Sequence, residues 1–484
     1  MHHHSLRSRP RHSGPRSGET SALRAVRAWP PIWATASSNG LPVAQTLYDL
    51  WRELRRKVPE EYERLRLLWP DHLGLARGKY LSRDSRSHTG HSIALFTLGF
   101  DREMTPHDGG MFWKGLPDLE AEFDWENARP GWEPNTKVII PEITREGAPV
   151  PLAPRNLLKS AIEAWEPHGF TPMVGIETEA FLFEPDGAGG WQPITTPGAY
   201  VYGTGTAVDP HGIIDEIMHK AHEAGLPLET VNSEYDNGQF ELTLSYRDAL
   251  TAADDAFLFK VMAKEVATRM GYFLTFMGKP INGRGGNGLH INLSMADDDG
   301  TNVLVDTAAD DGLSDLARSL IAGMLQHHVG MAGLLAPTVN AYKRLKPGSL
   351  CGYWANWGYD HRGVTVRVPP GRGSATRLEH RVGDGSVTPH QAVATILTAA
   401  RLGYEKGYEL PEVETLDCIE NASTDVVIPA TLSDALDALE ADTDLIEALS
   451  PAFVDGYLTV KRAEWERYNS WTTDWEISEY LPFL

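Results

Sequence analysis

The sequence predicts an α+β protein in which an Arg-rich extension and a small domain precede a larger domain. Three observations lead to this prediction. The first forty residues differ in composition from all that follows, helical spacing then gives way to short strands, and later strands carry one polar and one apolar face. Polar strand faces that repeat in this way indicate a barrel or half-barrel of strands around a site.

Composition limits the class of protein. A chain of 484 residues has room for two to four domains at about 100–200 residues each. The net charge of −22 argues against nucleic acid or an anionic membrane as the main partner. No apolar run approaches the roughly 20 residues of a membrane helix, and the two cysteines are far apart. We therefore expect a soluble, cytoplasmic protein without disulfides.

Three segments follow from composition. Residues 1–40 are rich in Arg, Ser, Pro and Gly, with Glu19 as the only acid, so we expect a disordered extension. A transit peptide shares this composition, but a loose arm explains it more simply. Residues 41–148 form the small domain, and a Pro-rich joint separates them from the larger domain at 149–484.

Local patterns predict individual elements. Residues 41–71 have helical spacing, whereas 74–84 and 90–100 are typical of short strands. In the larger domain we expect a helix over 156–169 and another over 209–225, the second with Asp209 as N-cap, Pro210 in its first turn and Gly225 as its stop. A hairpin turn is predicted at residues 236–238.

Strand alternation gathers polar side chains in the larger domain. Each predicted strand places its acidic, basic or imidazole groups on one face and its apolar residues on the other. The residues on the polar faces, with two arginines that come just before the last strand, are Glu177, Glu179, Glu234, Glu241, His290, Asn292, Ser294, Arg362, Arg367, Arg377, Glu379 and Arg381.

Five glutamates and one histidine form a ligand set that suits hard divalent cations such as Mg²⁺ or Mn²⁺. Zinc would normally require more His or Cys. Arginines beside carboxylate-bound metals hold polyphosphate, so the pattern indicates an ATP-using enzyme. Taken singly, a Glu-x-Glu strand is usually a solvated face and a lone His290 is usually structural. The joint pattern favours a site.

The sequence resembles the glutamine synthetase family from about Leu41 to the C-terminus. Five motifs carry the resemblance in order: VGIETEAFLF, SEYDNGQFEL, KPINGRGGNGLHINLS, NAYKRLKPGS and RLEHR. The resemblance implies an N-terminal β-grasp domain and a catalytic antiparallel half-barrel with helices. It also implies a homo-oligomer, a dodecamer of two hexameric rings with active sites between subunits.

The resemblance also implies roles for individual residues. Two or more Mg²⁺ or Mn²⁺ ions, with ATP as co-substrate, would phosphorylate the γ-carboxylate of glutamate, and a nitrogen nucleophile would then displace phosphate. The implied groups are one metal set of Glu179, Glu234 and Glu241, a second of Glu177, His290 and Glu379, glutamate contacts at Gly286, Arg344 and Arg381, and ATP contacts at Asn292, Ser294, Arg362, Arg367 and Arg377.

The flap after NAYKRLKPGS differs from that of ammonia-using family members. Leu350 stands where those enzymes have a glutamate that deprotonates ammonium, and Tyr353, Trp354 and Trp357 follow it. An apolar, aromatic wall suits an amine with a carbon skeleton. For Trp357, packing at the barrel rim is as good an explanation as substrate contact.

Three functions remain open at this point. The first is a γ-glutamyl-amine ligase acting on an alkyl or aromatic monoamine or on a polyamine. Residues 71–82, 92–101 and 115–124 resemble the N-terminal part of such ligases. The second is an ammonia-dependent glutamine synthetase. The third is a catalytically silent regulatory homologue, which the six intact metal ligands oppose.

Overall fold

The computed structural model describes residues 62–85 and 87–484. The predicted extension and most of the first predicted helix therefore lie outside the described residues. The described strands are β1 Arg64–Pro70, β2 Ala76–Ser82, β3 His88–Ser92, β4 Asp118–Glu122, β5 Arg129–Pro130, β6 Thr136–Ile139, β7 Glu142–Arg145, β8 Ala148–Pro149, β9 Thr171–Pro185, β10 Trp191–Pro193, β11 Leu228–Ser233, β12 Gln239–Asp248, β13 Phe273–Thr275, β14 Leu289–Ala296, β15 Trp357–Tyr359, β16 Val366–Val368 and β17 Leu378–His380.

The described α-helices lie between Pro154 and Tyr480. They are α1 Pro154–Glu163, α2 Ile213–Glu223, α3 Ala249–Arg269, α4 Asp315–Gln326, α5 His328–Leu335, α6 Pro389–Lys406, α7 Leu432–Ala441, α8 Thr443–Leu449, α9 Pro451–Asn469 and α10 Asp474–Tyr480. Short 3₁₀ turns connect several of these elements. Among the described residues, no helix combines the length and apolarity needed to cross a bilayer.

Two four-stranded sheets are built from residues 64–149, in the orders β2-β1-β6-β5 and β3-β4-β7-β8. The predicted helix over 41–71 is wrong at its C-terminal end, because β1 occupies Arg64–Pro70. This strand pairs with β2 on one side and β6 on the other, and it buries Leu65, Leu67 and Trp69. Partners distant in sequence thus override the local helical spacing.

A nine-stranded sheet carries the polar faces predicted from the sequence. Its main order is β11-β12-β9-β14-β17-β16-β15, with β10 and β13 pairing to the far end of β9. All pairs are antiparallel except β15 with β16. The long central strand β9 contacts both β12 and β14, so one face of β9 places its side chains beside those of two neighbours. These assignments show a mixed α/β architecture, and the β-grasp description of the first domain stays a prediction.

The apolar face of the large sheet packs against helices. Val174, Ile176, Leu289 and Ile291 point into the largest core, together with residues of helices α4 to α9. Helix α3 links the small sheets to this core, since Glu265 accepts hydrogen bonds from Arg66 at 2.6 Å and from the Trp132 indole at 2.6 Å. The boundaries 41–148 and 149–484 stay predictions.

Helix α2 begins later than predicted. It starts at Ile213, because Gly212 has a φ of 67° and breaks the helical path, so Pro210 lies outside the first turn. Asp209 nevertheless acts as a cap: its carboxylate accepts from the backbone N–H groups of Ile213 and Ile214 at 3.0 and 2.9 Å. Gly225, in the left-handed region, follows the helix end as expected.

Candidate active site

Strand register brings the predicted acidic and imidazole groups together. Glu241 of β12 lies opposite Glu179 of β9, and His290 of β14 lies opposite Glu177 of β9. On the next strand, Glu379 lies opposite Asn292. Directly paired residues in a sheet have their Cβ atoms within about 4.5–5.5 Å, so the polar faces of four adjacent strands merge into one surface.

Two clusters of candidate ligands result. Glu177, His290 and Glu379 form one, and Glu179, Glu234 and Glu241 form the other. In each cluster the candidate ligand atoms lie within 4.8 Å of one another. These are the two groupings that the family resemblance implied, although metal binding itself stays a prediction.

The first cluster is electrostatically balanced. His290 Nδ1 lies 3.5 Å from Glu177 Oε2 and 3.6 Å from Glu379 Oε1. Burial would raise the pKa of Glu177, but contact with His290 and the amide of Asn292 lowers that pKa to about 2. Glu379 is buried and accepts hydrogen bonds from Arg367 and Arg381, which with His290 keep its pKa below the usual range against the effect of burial.

The second cluster is electrostatically unbalanced. Burial, together with the charges of Glu179 and Glu241, raises the pKa of Glu234 to about 7. Burial and the charges of Glu177 and Glu179 also raise the pKa of Glu241. Glu234 Oε2 is buried without a hydrogen-bond partner among the described residues. Three crowded carboxylates with an unsatisfied buried oxygen are the donor set that a divalent cation would neutralise.

The candidate glutamate contacts are Gly286, Arg344 and Arg381, which belong to neither carboxylate cluster. Gly286 packs so tightly that an added Cβ would lie 2.6 Å from the Gly278 carbonyl oxygen and 2.9 Å from Arg344 Cγ. Arg344 and Arg381 are both buried, and the Nε atom of each lacks a hydrogen-bond partner among the described residues. Arg344 Nη2 and both Nη atoms of Arg381 already donate to other groups, and Arg344 Nε faces Asp384 Oδ2 at 3.6 Å. Guanidinium groups of this kind can hold a carboxylate.

The candidate ATP contacts do not all adjoin one another. Arg377 Nε donates to Asn292 Oδ1 at 3.0 Å, and Asn292 in turn donates to Glu177 at 2.9 Å. Arg367 is hydrogen-bonded to Glu379. Arg362 is exposed and its charge acts on Glu234 and Glu241, so it lies toward the second cluster. Ser294 is half-buried two positions beyond Asn292 on the same face of β14.

The structure places Tyr246 on the site face of the large sheet, whereas strand alternation predicts the opposite face. Tyr246 follows Leu242 and Leu244 at strand spacing, which predicts burial. A β-bulge between Leu244 and Arg247 changes the alternation. An added Cβ on Gly175 would lie 3.4 Å from Tyr246 Cβ and 3.7 Å from Asn292 Cβ. Tyr246 is exposed and its Cβ lies on the site face beside Gly175, whose missing side chain leaves a slot next to Asn292.

Flap residues occupy different environments. Leu350 is 46% exposed, and its carbonyl accepts a hydrogen bond from Arg381 Nη2 at 3.1 Å, which places the flap beside the site. Tyr353 is half-buried. Trp354 is only 9% exposed and packs on Val364 and Cys418.

Trp357 is buried in the main core, where its indole N–H donates to the Pro411 carbonyl at 2.8 Å. The packing explanation therefore holds for Trp357. Trp354 is covered in the same way by its neighbours in a smaller cluster. Both indoles are covered by their neighbours, whereas Leu350 is exposed and Tyr353 is half-buried, and the assignment of these four residues to the amine pocket stays a prediction.

Exposed tyrosines near Glu234 were missed by sequence reasoning. The backbone N–H of Tyr202 donates to the Ser233 carbonyl at 3.0 Å, and the Ser233 hydroxyl donates to the Tyr200 carbonyl at 2.8 Å. Tyr202 has a φ of 58° and is 66% exposed, and Tyr235 is also exposed. In the sequence, the available signal was the aromatic, Gly-rich segment GAYVYG. In the structure, the signal is the positive φ of Tyr202, because positive φ at a non-Gly residue often marks a functional loop.

Comparisons with known proteins agree with this geometry. Residues 151–480 match the model of the glutamine synthetase catalytic domain. Gamma-glutamylethanolamide synthetase of Streptomyces coelicolor is 33% identical over 85% of this chain and 91% of its own length. Glutamine synthetase of Thermococcus kodakarensis is 33% identical over 79% of this chain and 88% of its own length.

A solved structure shows the same similarity. The apo structure of GmaS superposes with a TM-score of 0.77 at 30% identity, covering 90% of this chain and 99% of that chain. A complex of GmaS with ADP gives the same TM-score. The matched domain spans both clusters, the flap and the arginines described above. The chain therefore belongs to the glutamine synthetase family of ATP-dependent ligases.

Proposed function

We propose that this ligase joins the γ-carboxylate of glutamate to an organic amine, giving a γ-glutamylamide, ADP and phosphate. The observation that carries the proposal is the flap. Residues 340–358 contain no Asp or Glu, and Leu350 presents an exposed apolar side chain beside Arg381. An alkyl group on the amine would contact that side chain favourably, whereas the small ammonium ion would gain no such contact and would find no flap carboxylate to bind its charge.

In this proposal the two carboxylate clusters would hold divalent cations. Bound Mg²⁺ or Mn²⁺ would neutralise the polyphosphate and orient it for transfer. Arg344 and Arg381 would bind the α-carboxylate of glutamate, next to the backbone at Gly286. Attack of the γ-carboxylate on the γ-phosphorus would form γ-glutamyl phosphate and ADP. The protonated amine would then lose one proton to solvent, its neutral nitrogen would attack the acyl carbon, and phosphate would leave with the second proton.

The exposed tyrosines suit the approach of the amine. Alkylamines are protonated at neutral pH, and aromatic rings attract such cations by about 0.5–1 kcal/mol at exposed sites. Tyr200 and Tyr202 are anchored on Ser233, the residue before Glu234. We propose that these rings guide the amine toward the second cluster. A relative named for an ethanolamide product supports a small monoamine as the first substrate to test.

Phosphate release tests the function directly. Purified protein with ATP, glutamate and Mg²⁺ is given ammonium, ethanolamine, alkylamines, aromatic amines or polyamines, and products are identified by mass spectrometry. We expect one organic amine to exceed ammonium in kcat/KM by at least about tenfold, the size of one lost polar contact. Turnover with ammonium alone would instead support a glutamine synthetase, which is the name that several relatives carry. No turnover with any amine would support a silent homologue.

The slot at Gly175 yields a prediction for nucleotide binding. Replacing Tyr246 with Ala should raise the KM for ATP by about tenfold, because stacking on a base contributes about 1–3 kcal/mol. Tyr246→Phe should be close to wild type, and Gly175→Leu should also raise the KM for ATP by filling the slot. Steady-state kinetics with each substrate varied in turn measures these effects. An equal increase in the KM for glutamate would contradict a role specific to the nucleotide.

Metal affinity should depend on pH. The pKa of Glu234 is about 7, so below pH 7 a proton on this carboxyl would compete with the cation, and above it the carboxylate would be free. We therefore expect Mn²⁺ affinity to rise between pH 6 and pH 8 and then level off. Calorimetry in buffers of different ionisation enthalpy would detect the released proton. Affinity and proton release that do not change over this range would contradict the prediction.

A further inference from the structure

A cavity of about 830 Å³ lies outside the site described above. Its walls come from the 73–75 loop, helix α3, strand β13 with the residues after it, the 338–340 segment, Gly385 with Ser386, and helix α9 with Trp471. We call it the lysine cavity, because Lys260 and Lys264 of helix α3 both line it. Its volume is in the range of about 300–1,000 Å³ found for small-molecule sites.

Most of the remaining lining is apolar and much of it is exposed. Phe100, Phe273, Met277, Tyr468 and Trp471 are each more than one-third exposed in this one cavity. A contiguous exposed patch of large apolar side chains typically marks a binding surface. The concave shape and aromatic walls suit a flat apolar body.

The two lysines lack the acidic partners that the other charged lining residues have. Glu464 is paired with Lys461 at 2.7 Å, and Arg467 is paired with Asp101. Lys260 Nζ donates to the carbonyl oxygens of Gly385 and Val387 at 2.7 and 3.0 Å. The carbonyl of Lys264 accepts from the Thr268 hydroxyl at 2.8 Å, but its ammonium makes no hydrogen bond or ion pair with any residue in the described ranges.

The acids nearest to the lysines are already engaged. The charge of Asp384 acts on Lys260, but Asp384 is held by Ser386 and lies 3.6 Å from Arg344. The charge of Glu265 acts on Lys264, but Glu265 is hydrogen-bonded to Arg66 and Trp132. Burial and the neighbouring ammonium of Lys264 lower the pKa of Lys260 to about 7. An anion in the cavity would relieve this repulsion.

We propose that the lysine cavity binds a small amphipathic anion, a carboxylate or phosphate carried on a flat apolar body. The anionic group would lie at Lys264 and Lys260, one helical turn apart on α3, and the apolar body would lie against the aromatic walls. In a protein of net charge −22, the Lys264 ammonium supplies local positive charge for such a ligand, and an anion bound beside Lys260 would raise the pKa of that lysine and so add a second charge.

Calorimetry with 2-naphthoate tests the proposal, with 2-naphthalenemethanol as the neutral probe of the same shape. Full-length enzyme is first saturated with glutamate, ADP and Mg²⁺, so that Arg344 and Arg381 are unavailable to the probe. We expect saturable binding of the anion, weaker at high salt, and affinity for the neutral probe lower by about tenfold or more, as for loss of one charge-assisted hydrogen bond.

Variants locate the binding. Lys264→Glu should weaken naphthoate binding by at least about tenfold, whereas Lys220→Gln, which removes a positive charge from the separate helix α2, should leave it unchanged. Met277→Trp should fill the cavity and weaken both probes. Absence of naphthoate binding, equal affinity for the two probes, or equal effects of the Lys264 and Lys220 variants would each overturn the proposal. Thermal unfolding of each variant checks that it is folded.

Discussion

Replacing Glu234 with Gln is expected to abolish metal-dependent turnover while stabilising the metal-free protein. Glu234 is crowded by Glu179 and Glu241, and its Oε2 atom is buried without a partner among the described residues. Glutamine removes the negative charge at position 234, so repulsion with Glu179 and Glu241 falls, but a bound cation would lose a carboxylate ligand. We expect kcat to fall by at least about a hundredfold, and the metal-free fold to gain about 1–2 kcal/mol after discounting for solvent screening.

The sign of the stability change depends on pH. The pKa of folded Glu234 is raised to about 7, so at pH 8 the carboxylate is charged and destabilises the metal-free fold. Toward pH 5 it becomes protonated in the folded state, and the advantage of glutamine should disappear. Thermal unfolding with a chelator at both pH values measures this. Glu229→Gln on the same hairpin is the matched control, and an equal gain in that variant would contradict the repulsion argument.

Replacing Leu350 with Glu is expected to shift substrate preference toward ammonium. Leu350 is exposed, and its carbonyl accepts a hydrogen bond from Arg381, so a carboxylate at this position would lie on the flap beside the site. A positioned general base contributes about 10²–10⁴-fold to proton transfer. We expect kcat/KM for ammonium to rise by about tenfold, less than this range because the other groups of the site are not arranged around the new base, and kcat/KM for the organic amine to fall.

Leu350→Gln separates charge from shape in this experiment. Glutamine has nearly the size of glutamate but cannot accept a proton, so it should weaken amine use without improving ammonium use. Initial rates of phosphate release for both nucleophiles, with product identity checked by mass spectrometry, give the comparison. A similar gain in the Gln variant, or no gain in the Glu variant, would show that Leu350 does not determine the choice of nucleophile.

Local sequence patterns were reliable where a single strand or turn carries the information. The Glu-x-Glu pair of β9, the polar alternation of β14 and the turn at Gly238 are confirmed by the strands and by the positive φ of that glycine. Side-chain alternation is a property of any extended strand, so it needs no knowledge of neighbours. The family motifs then grouped residues that no single pattern could connect.

Other features depended on contacts between distant segments. β1 is a strand because β2 and β6 flank it, and Tyr246 reaches the site face because a bulge interrupts β12. The sequence predicts that Trp354 and Trp357 contribute to a wall of the amine pocket. In the structure, Val364 and Cys418 cover Trp354, and the Pro411 segment covers Trp357. Burial of an aromatic ring is decided by what packs on it, which composition does not encode.

The sequence by itself determined the ligand types, the order of the motifs and the missing flap carboxylate, because these are properties of single residues and of strand periodicity. Only the tertiary structure decided that Glu179, Glu234 and Glu241 crowd into one unbalanced cluster. It also decided that Lys260 and Lys264 face a cavity without acidic partners among the described residues. Charge balance is a sum over neighbours in space, and register and helix packing determine those neighbours.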